Sequence, residues 1–253
     1  MTGPIMNVSR LSAARQMMTR PYQLSVPTLC LMLGMIFLLP LYLIIAAELE
    51  GKSLIHPELF LDDFFPLTPA WTFVYGSHMI FYMLPLLLIR QDGYLRQTFY
   101  AYISVWLFSY SVFLLYPTVA PRPESLNGGD FFSWLLQLVY HMDPPRNCFP
   151  SLHVAHSFVT ALSCSRLNLQ IGNASLAWAF LIALSTMYTK QHYAADVIAG
   201  AILAFAAYWL FLSKATVQPF DNVEKRGAPL FFIGLIALHC MVALLMGGIY
   251  LLK

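Results

Sequence analysis

Long apolar runs separated by short polar segments make up most of this chain. A helix needs ~20 mostly apolar residues to cross the hydrocarbon core of a bilayer. Five runs clearly reach this length and two are weaker. Of the weaker two, residues 148–165 open with polar side chains, and residues 193–213 contain Asp196 near their start. The pattern predicts seven membrane-spanning helices. The five clear runs are residues 26–47, 67–89, 97–119, 171–189 and 228–252.

The composition agrees with a polytopic membrane protein. Of the 253 residues, 59% are hydrophobic and 10% are charged, whereas a soluble domain carries about 25% charged residues. No internal repeat and no low-complexity linker is visible, so we expect an all-α membrane helix bundle that forms one domain over residues 1–253. Pro40 and Pro85 lie inside apolar runs and should kink their helices, which membrane helices tolerate.

Charge and cysteine content disfavour two other classes of function. The net charge of +2 is small and the basic residues are scattered, so nothing indicates a nucleic-acid partner. The four cysteines have no paired spacing, so neither a disulfide framework nor a zinc site is indicated.

The distribution of Lys and Arg predicts the orientation in the membrane, because cytoplasmic loops are enriched in these residues. With residues 1–25 in the cytoplasm, the inside segments carry nine Lys and Arg residues and the outside segments carry five. We therefore expect an inside N-terminus and an outside C-terminus. The inside set is Arg10, Arg15, Arg20, Arg90, Arg96, Arg166, Lys214, Lys225 and Arg226; the outside set is Lys52, Arg122, Arg146, Lys190 and Lys253.

Polar and charged side chains converge at the predicted outer face. With alternating spans, the segments after the third span, before the fourth and between the fifth and sixth all lie on that side. A cluster of cations, histidines and one carboxylate is a candidate site for an anionic group. Its members are Arg122, Arg146, Lys190, His153, His192 and Asp196.

The spacing between His192 and Asp196 is i, i+4. If the sixth helix starts near His192, both side chains share one face and the carboxylate can accept a hydrogen bond from the imidazole. That bond fixes the tautomer and leaves the other nitrogen free to attack or to take a proton. The alternative is that Asp196 only caps the sixth helix and His192 is an interfacial residue.

His153 stands near the start of the fourth apolar run, in the stretch NCFPSLHVAHSF at residues 147–158. Pro150 suits a first helical position, and the unpaired N–H groups at that end favour a phosphate oxygen. Ser151 can donate one more hydrogen bond. The alternative is that Ser151 is a simple N-cap and that a neighbouring carbonyl satisfies His153.

The other histidines have simpler interpretations. His156 lies three residues after His153 and deeper in the run, so we expect a packed or supporting side chain. His78 and His239 lie in the middle of spans and are expected to bond neighbouring helices. His141, together with Asp143, lies in an outside loop and could line the entrance to the site.

Residues 130–140, DFFSWLLQLVY, are apolar and aromatic but too short to cross a bilayer. We expect a short helix that lies in the membrane interface. It is either part of a lateral lipid gate or a plain anchor.

These residues resemble the type 2 phosphatidic acid phosphatase superfamily, which includes lipid phosphate phosphatases and sphingolipid head-group transferases. The family has three motifs: Lys, six residues, Arg-Pro; then Pro-Ser-Gly-His; then Ser-Arg, five residues, His, three residues, Asp. Residues 150–153 read Pro-Ser-Leu-His, and residues 185–196 match the third motif with His192 and Asp196. The first motif retains Arg122 and the proline after it.

The resemblance implies a role for each matched residue. His192 would be the nucleophile that forms a phosphohistidine, Asp196 would orient it, and His153 would protonate the leaving oxygen. Arg122 and Ser151 would hold the phosphate. The resemblance also implies a six-helix core of the family's type with one additional C-terminal span at residues 228–252. It places the catalytic core at about residues 67–213 and implies no metal or other cofactor.

Two positions depart from the family motifs. Leu115 stands where the first motif has Lys, and Thr186 stands where the third has Arg. Lys190 or Arg146 could supply the lost charge. The variants FPSLH and KQHYAAD resemble the branch that contains inositol phosphorylceramide synthases, and a thinner phosphate clamp would suit a diester, which carries one negative charge.

The resemblance favours a membrane lipid phosphatase that hydrolyses a lipid phosphate or diphosphate at the outer face. The close alternative is a phosphotransferase that moves a phospho-head group from one phospholipid to another acceptor. A non-catalytic lipid-binding relative is disfavoured because His153, His192 and Asp196 are all retained. A transporter is disfavoured because the charged residues gather at one face, whereas transporter sites lie near the bilayer midplane.

Overall fold

The computed structural model describes residues 9–19, 24–126 and 128–252. Arg20 and Lys253, which were counted among the Lys and Arg residues of the predicted inside and outside segments, lie outside the described residues. The helices are α1 (Arg10–Thr19), α2 (Val26–Glu48), α3 (Thr72–Gly76), α4 (His78–Phe81), α5 (Leu84–Leu88), α6 (Asp92–Leu115), α7 (Phe131–Met142), α8 (Leu152–Ser165), α9 (Leu169–Tyr188), α10 (Ala194–Ala207) and α11 (Asn222–Leu251). Short 3₁₀ turns cover Phe60–Phe64 and Pro69–Trp71, and a π-helical turn at Tyr208–Leu212 continues α10.

The described part of the chain contains five helices that are long and apolar enough to cross a membrane. They correspond to α2, α6, α9, α11, and α10 together with its π-helical turn. Large apolar side chains on α2 and α11 face outward, and Phe37 and Leu244 are 79% and 77% exposed. Such surfaces are stable against lipid rather than water. The prediction of an all-α, multi-pass membrane bundle is therefore confirmed.

Two predicted spans differ from single long helices. Residues 67–89 form three short helices, α3 to α5, instead of one. Pro85 lies in the first turn of α5, where its missing N–H does no harm. By contrast, Pro40 lies inside α2, which continues to Glu48. The helix α8 has 14 residues, and at a rise of ~1.5 Å per residue it is shorter than a ~30 Å hydrocarbon core.

The helix α8 lies at the centre of the bundle and packs against α9, α10 and α6. Val154, Val159 and Ala161 on it are fully buried. Two tyrosines of α6 bond polar groups of α8, because the Tyr94 hydroxyl donates to the Ser163 carbonyl and the Tyr102 hydroxyl pairs with a threonine hydroxyl. The N-terminus of this central helix therefore has a fixed position, and the candidate residues gather there.

The short amphipathic helix α7 begins after Asp130, whose carboxylate accepts hydrogen bonds from the backbone N–H groups of Phe132 and Ser133. These are the bonds of an N-cap. The hydrogen bond from the Ser133 hydroxyl, together with these backbone bonds, holds the pKa of Asp130 below its usual value. The prediction of a short helix in this segment is confirmed. Its place as a gate or an anchor stays a prediction.

Candidate active site

His153 and His192 lie side by side, although they come from different parts of the chain. His153 is the second residue of α8, and His192 lies two residues before α10. The His153 Nδ1 atom is 3.2 Å from the His192 Nε2 atom. His192 is 5% exposed and His153 is partly buried. The start of α8 and the start of α10 therefore form one site.

Asp196 is fully buried and contacts two donors through one oxygen. Its Oδ2 atom lies 3.3 Å from His192 Nδ1 and accepts a hydrogen bond of 3.0 Å from the Tyr193 backbone N–H. The carboxylate thus caps α10 and also contacts the imidazole, so the two interpretations of this pair are compatible. Because a carboxylate only accepts, the proton of this contact belongs to His192 Nδ1. The Nε2 atom, which faces His153, then has the lone pair.

Ser151 joins the two helix starts. Its hydroxyl accepts a hydrogen bond from the Val154 N–H and so caps α8, while its own N–H donates to the Asp196 carbonyl. Gly200 of α10 allows this approach, since a Cβ atom there would lie 2.5 Å from the Ser151 carbonyl oxygen. The sequence-based alternative of a simple N-cap is what the structure shows for Ser151, and a contact with phosphate stays a prediction.

Arg122 reaches the site but most of its donors are occupied. Its Nη1 group donates to the carbonyls of Tyr140 and Asp143, at 3.2 and 2.7 Å, and its Nη2 group donates to the side chain of Gln191. The guanidinium lies over the Tyr140 ring, and its Nε–H has no hydrogen-bond partner among the residues described. Burial raises the pKa of Tyr140 to about 12, so its hydroxyl stays protonated and donates to the Thr189 carbonyl.

Gln191 is a residue of the site that no sequence motif indicated. It is 2% exposed and precedes His192. Arg only donates hydrogen bonds, so the Gln191 Oε1 atom must face Arg122 and the Nε2 group must point elsewhere. That buried Nε2 group finds no partner in the described part of the chain. The only signal in the sequence was its position beside a candidate nucleophile.

Lys190 lines a cleft of about 510 Å³ together with Arg122, Tyr193 and residues of the first predicted outside loop. The Lys190 backbone is left-handed, with φ of 53°, a conformation that non-glycine residues rarely adopt outside functional turns. Three carboxylates and one histidine also line the cleft. They are Glu58, Asp62, Asp63 and His56.

The first predicted outside loop is attached to the start of α10. Asp62 accepts a hydrogen bond of 2.7 Å from the Ala194 N–H through Oδ1, and one of 2.8 Å from the Leu59 N–H through Oδ2. His56 Nδ1 lies 3.1 Å from the Tyr193 hydroxyl. The loop therefore supplies the hydrogen-bond acceptor for the first N–H group of α10.

Arg146 does not reach the two histidines. It donates to the Ala46 carbonyl at 3.3 Å and lies 3.4 Å from the Glu50 carboxylate. These contacts place it against the C-terminal end of α2, where Glu50 is mostly exposed. Of the predicted phosphate-binding residues, the structure brings Arg122 and Lys190 to the cleft, while Ser151 lies at the start of α8.

The positions that depart from the family motifs bring no charge to the site. Leu115 is 84% exposed near the end of α6. Thr186 is fully buried, and its hydroxyl donates to a carbonyl of its own helix. Its carbonyl accepts from the N–H groups of Gln191 and His192. Thr186 therefore shapes the turn that presents the nucleophile candidate.

Tyr75 and Asp143 extend the contacts of His153. The Tyr75 hydroxyl is 2.9 Å from His153 Nε2 and 3.3 Å from Asp143 Oδ2. The other Asp143 oxygen accepts a hydrogen bond of 2.8 Å from the Tyr42 hydroxyl. Asp143 was predicted to line the entrance, and no motif in the sequence indicated Tyr75. In the structure Tyr75 contacts His153 directly, and Asp143 is connected to His153 through the Tyr75 hydroxyl.

The remaining histidines divide into neighbours of the site and packing residues. The His78 ring lies 4.4 Å from that of His153, and its Nδ1 atom is 2.8 Å from the Tyr75 carbonyl. His156 packs among aromatic rings of α6 and of the α4–α5 segment. His239 bonds the Phe73 carbonyl across α11 and α3. The expectations for His156 and His239 agree with these contacts, while His78 also borders the site.

The described residues contain no group of three or more His, Cys, Asp or Glu side chains that could hold a metal ion. The arrangement itself can perform acid–base and nucleophilic chemistry. The Asp196 carboxylate fixes the tautomer of His192, and the His153 imidazole faces the lone pair on His192 Nε2. This is the geometry of a nucleophile beside a proton donor.

Comparisons with known proteins give the same assignment as the motifs. A family model of the PAP2 superfamily matches residues 47–210. Over 120 residues the chain is 29% identical to a PA-phosphatase related-family protein of Dictyostelium discoideum, and the match covers 43% of this chain. It covers 22% of that relative, so the chain spans less than a quarter of the relative's length. No solved structure matches the chain significantly. Because the family model covers more than half of the chain, the predicted resemblance is confirmed, and the chain belongs to the PAP2 superfamily.

Proposed function

We propose that this protein is a membrane phosphoesterase that hydrolyses a lipid phosphate or diphosphate through a phosphohistidine at His192. The observation that carries the proposal is the alignment of a carboxylate and two imidazoles at the start of α8 and α10. Asp196 contacts His192 Nδ1 at 3.3 Å, and His192 Nε2 faces His153 at 3.2 Å. Membership of the PAP2 superfamily supports a phosphoric ester as the substrate.

In the first step the His192 Nε2 lone pair attacks phosphorus and the bond to the leaving oxygen breaks. Asp196 accepts a hydrogen bond from the His192 Nδ1–H group. This bond keeps the lone pair on Nε2, where it is directed at the substrate. His153 gives its Nδ1 proton to the leaving oxygen and so avoids release of an alkoxide. Water then attacks the phosphohistidine, and His153 takes back a proton from that water.

The phosphate is held by donors that remain available beside these imidazoles. The Arg122 Nε–H and the Gln191 Nε2 group are buried and find no acceptor elsewhere in the described residues. Lys190 adds a positive charge at the cleft, and Ser151 keeps a hydroxyl proton that it can donate. Preorganised donors of this kind stabilise charge that develops on phosphoryl oxygens.

The position in the membrane is part of the same proposal. We place the N-terminal segment in the cytoplasm and the cleft at the outer face, as the distribution of Lys and Arg favours. The catalytic core covers about residues 67–213, and residues 228–252 form an additional span. A site at the bilayer surface lets a lipid head group enter the cleft while the acyl chains stay in the membrane.

Transfer of a phospho-head group is the second candidate, and the missing clamp charges favour it. Leu115 points outward and Thr186 is engaged in its own helix, so less positive charge meets the phosphate than in the complete family motifs. A diester carries one negative charge and requires less. In this case an alcohol, rather than water, attacks the phosphohistidine.

The decisive experiment uses the purified full chain in detergent without added metal. Labelled phosphatidic acid, a lipid diphosphate and a phospholipid diester are supplied with and without a diacylglycerol or ceramide acceptor. Release of free phosphate supports the phosphatase, and a new phospholipid supports the transferase. His192→Ala should abolish either activity. His239→Gln, which retains a donor for the Phe73 carbonyl, is the matched control, and full activity of His192→Ala would disprove the mechanism.

A further inference from the structure

The Tyr75 hydroxyl has one proton but contacts two polar groups. It is 2.9 Å from His153 Nε2 and 3.3 Å from Asp143 Oδ2. Tyr75 is 3% exposed, so water does not compete strongly for these contacts. The direction in which this proton points therefore fixes the protonation of His153.

Four contacts follow one another from Asp196 to Asp143, by way of His192, His153 and Tyr75. Each contact needs one hydrogen. Neutral His192, neutral His153 and Tyr75 supply only three, which would leave two lone pairs facing each other in one contact. A doubly protonated His153 supplies the fourth: Nδ1–H faces His192, Nε2–H faces Tyr75, and the Tyr75 proton faces Asp143.

The carboxylates at the two ends of these contacts favour this arrangement, whereas burial and the positive charge of Arg122 oppose it. Arg122 Nη2 lies 3.9 Å from the Asp143 Oδ2 atom, so the Asp143 carboxylate has a guanidinium as its partner. Burial disfavours a charged imidazole, but the carboxylates of Asp196 and Asp143 lie at the two ends of the contacts. Two carboxylates, one imidazolium and one guanidinium sum to zero charge, which a buried cluster requires.

We infer that Tyr75 and Asp143 are positioning residues that hold His153 in its doubly protonated form, so that it can act as the acid of the reaction. The inference rests on the proposed function and adds the groups that supply the acid. His153 gives its Nδ1 proton to the leaving oxygen when the P–O bond breaks, and it keeps the Nε2–H toward Tyr75. It recovers a proton at Nδ1 from the water that attacks the phosphohistidine.

Asp143 is held in place for this role. Its second carboxylate oxygen accepts from Tyr42 at 2.8 Å, and its backbone carbonyl accepts from Arg122 at 2.7 Å. Three elements thus fix Asp143: α2 and α3 bond its carboxylate through Tyr42 and Tyr75, and the segment after α6 bonds its backbone carbonyl through Arg122. Such support is expected for a group that must keep a partner oriented within a few tenths of an ångström.

The test compares two leaving groups in the same purified protein. Dodecyl phosphate releases an alkoxide that needs a proton, whereas 4-nitrophenyl phosphate releases a stable aryloxide that does not. We measure kcat/KM, which reports the steps up to P–O cleavage. Since a general acid contributes ~10²–10⁴-fold, Tyr75→Phe should lower kcat/KM for dodecyl phosphate by roughly 10- to 100-fold and leave that for 4-nitrophenyl phosphate nearly unchanged.

Two further variants separate this role from a structural one. Asp143→Asn should show the same dependence on the leaving group, which provides a second measurement if Tyr75→Phe does not fold. Tyr110→Phe is the matched control, because its hydroxyl donates to the Leu38 carbonyl away from the histidines, and it should show no such dependence.

Equal losses for both substrates in Tyr75→Phe and Asp143→Asn, or no loss for either, would overturn the inference while leaving the proposed function intact. A wild-type protein that cleaves neither compound nor any of the lipid substrates would overturn the proposed function, and the role of Tyr75 with it.

Discussion

The Nδ1 atom of His153 and the Nε2 atom of His192 are 3.2 Å apart. No phosphorus atom fits between two nitrogens at that distance, since reacting atoms approach each other to ~3–3.5 Å before a bond forms. A bound phosphoryl group must therefore separate the two imidazoles. We predict that orthovanadate inhibits the protein and that a structure of the complex shows the two nitrogens moved apart, with vanadium next to His192. Unchanged nitrogen positions with vanadate bound elsewhere would contradict the proposed nucleophile.

Asp196→Asn should leave the fold intact and remove most of the activity. The asparagine can still accept from the Tyr193 N–H, but it lacks the charge that stabilises His192 as phosphohistidine forms, and its amide can favour the wrong tautomer. Loss of a comparable orienting carboxylate costs up to ~10⁴-fold in a well-studied hydrolase, so we expect at least ~10²-fold here. The measurement is kcat on the best lipid substrate.

Asp92→Asn is the control for that variant. Asp92 lies in the first turn of α6 and bonds the Ser25 N–H and Arg96 away from the histidines. It should retain nearly full activity. If both variants lost activity equally, the effect of Asp196→Asn would be general destabilisation.

Gln191→Glu should weaken substrate binding. The new carboxylate would pair with Arg122 and place a negative charge where the phosphoryl oxygens are expected. We predict an increase in KM of ~10-fold or more for a phosphate monoester, which corresponds to at least ~1.4 kcal/mol, and a smaller increase for a diester, which carries less charge. Gln191→Ala should raise KM for both substrates to a similar degree. An unchanged KM in Gln191→Glu would place the phosphate away from this residue.

Gly200→Ala should reduce both stability and activity, because the new Cβ atom would lie 2.5 Å from the Ser151 carbonyl oxygen. Overpacking of this kind costs ~1–3 kcal/mol, and separation of α8 from α10 would also move His153 away from His192. Thermal unfolding in detergent and kcat measure the two effects. Gly34→Ala on α2 is the matched control, since a Cβ atom there has no neighbour within 4 Å.

The orientation is tested by cysteine labelling in intact cells. Glu124 and Lys214 are both exposed and lie in loops predicted on opposite sides. A membrane-impermeant maleimide should label Glu124→Cys from outside and Lys214→Cys only after permeabilisation. The unsubstituted chain gives the background from its own four cysteines. The reverse pattern would place the cleft in the cytoplasm.

The sequence was informative where local spacing decides structure. His192 and Asp196 are four residues apart near a helix start, so their contact follows from helix geometry. Ser151 behaves as an N-cap because serine at that position satisfies an unpaired N–H group. The approach of His153 to His192 was predicted only as a shared membrane face, because the distance depends on how α8 packs against α10.

Other residues could not be predicted because tertiary packing decides their place. Tyr75 lies in a span that was expected to be one continuous helix but forms three short ones, so its direction could not be read from helical periodicity. Arg146 is close in sequence to His153, yet its side chain turns to the carbonyl of Ala46 and to Glu50. Charge alone does not show which partner such a residue selects.

The bond between Asp62 and the Ala194 N–H connects the loop between α2 and α3 to the start of α10. Ala194 is the first residue of α10, two residues after the nucleophile candidate. A ligand that pulls the loop outward would leave this amide without its acceptor and loosen the turn that presents the imidazole. The same loop lines the cleft, so a molecule that binds the loop would act on the site in two ways, by occupying the cleft and by releasing this amide.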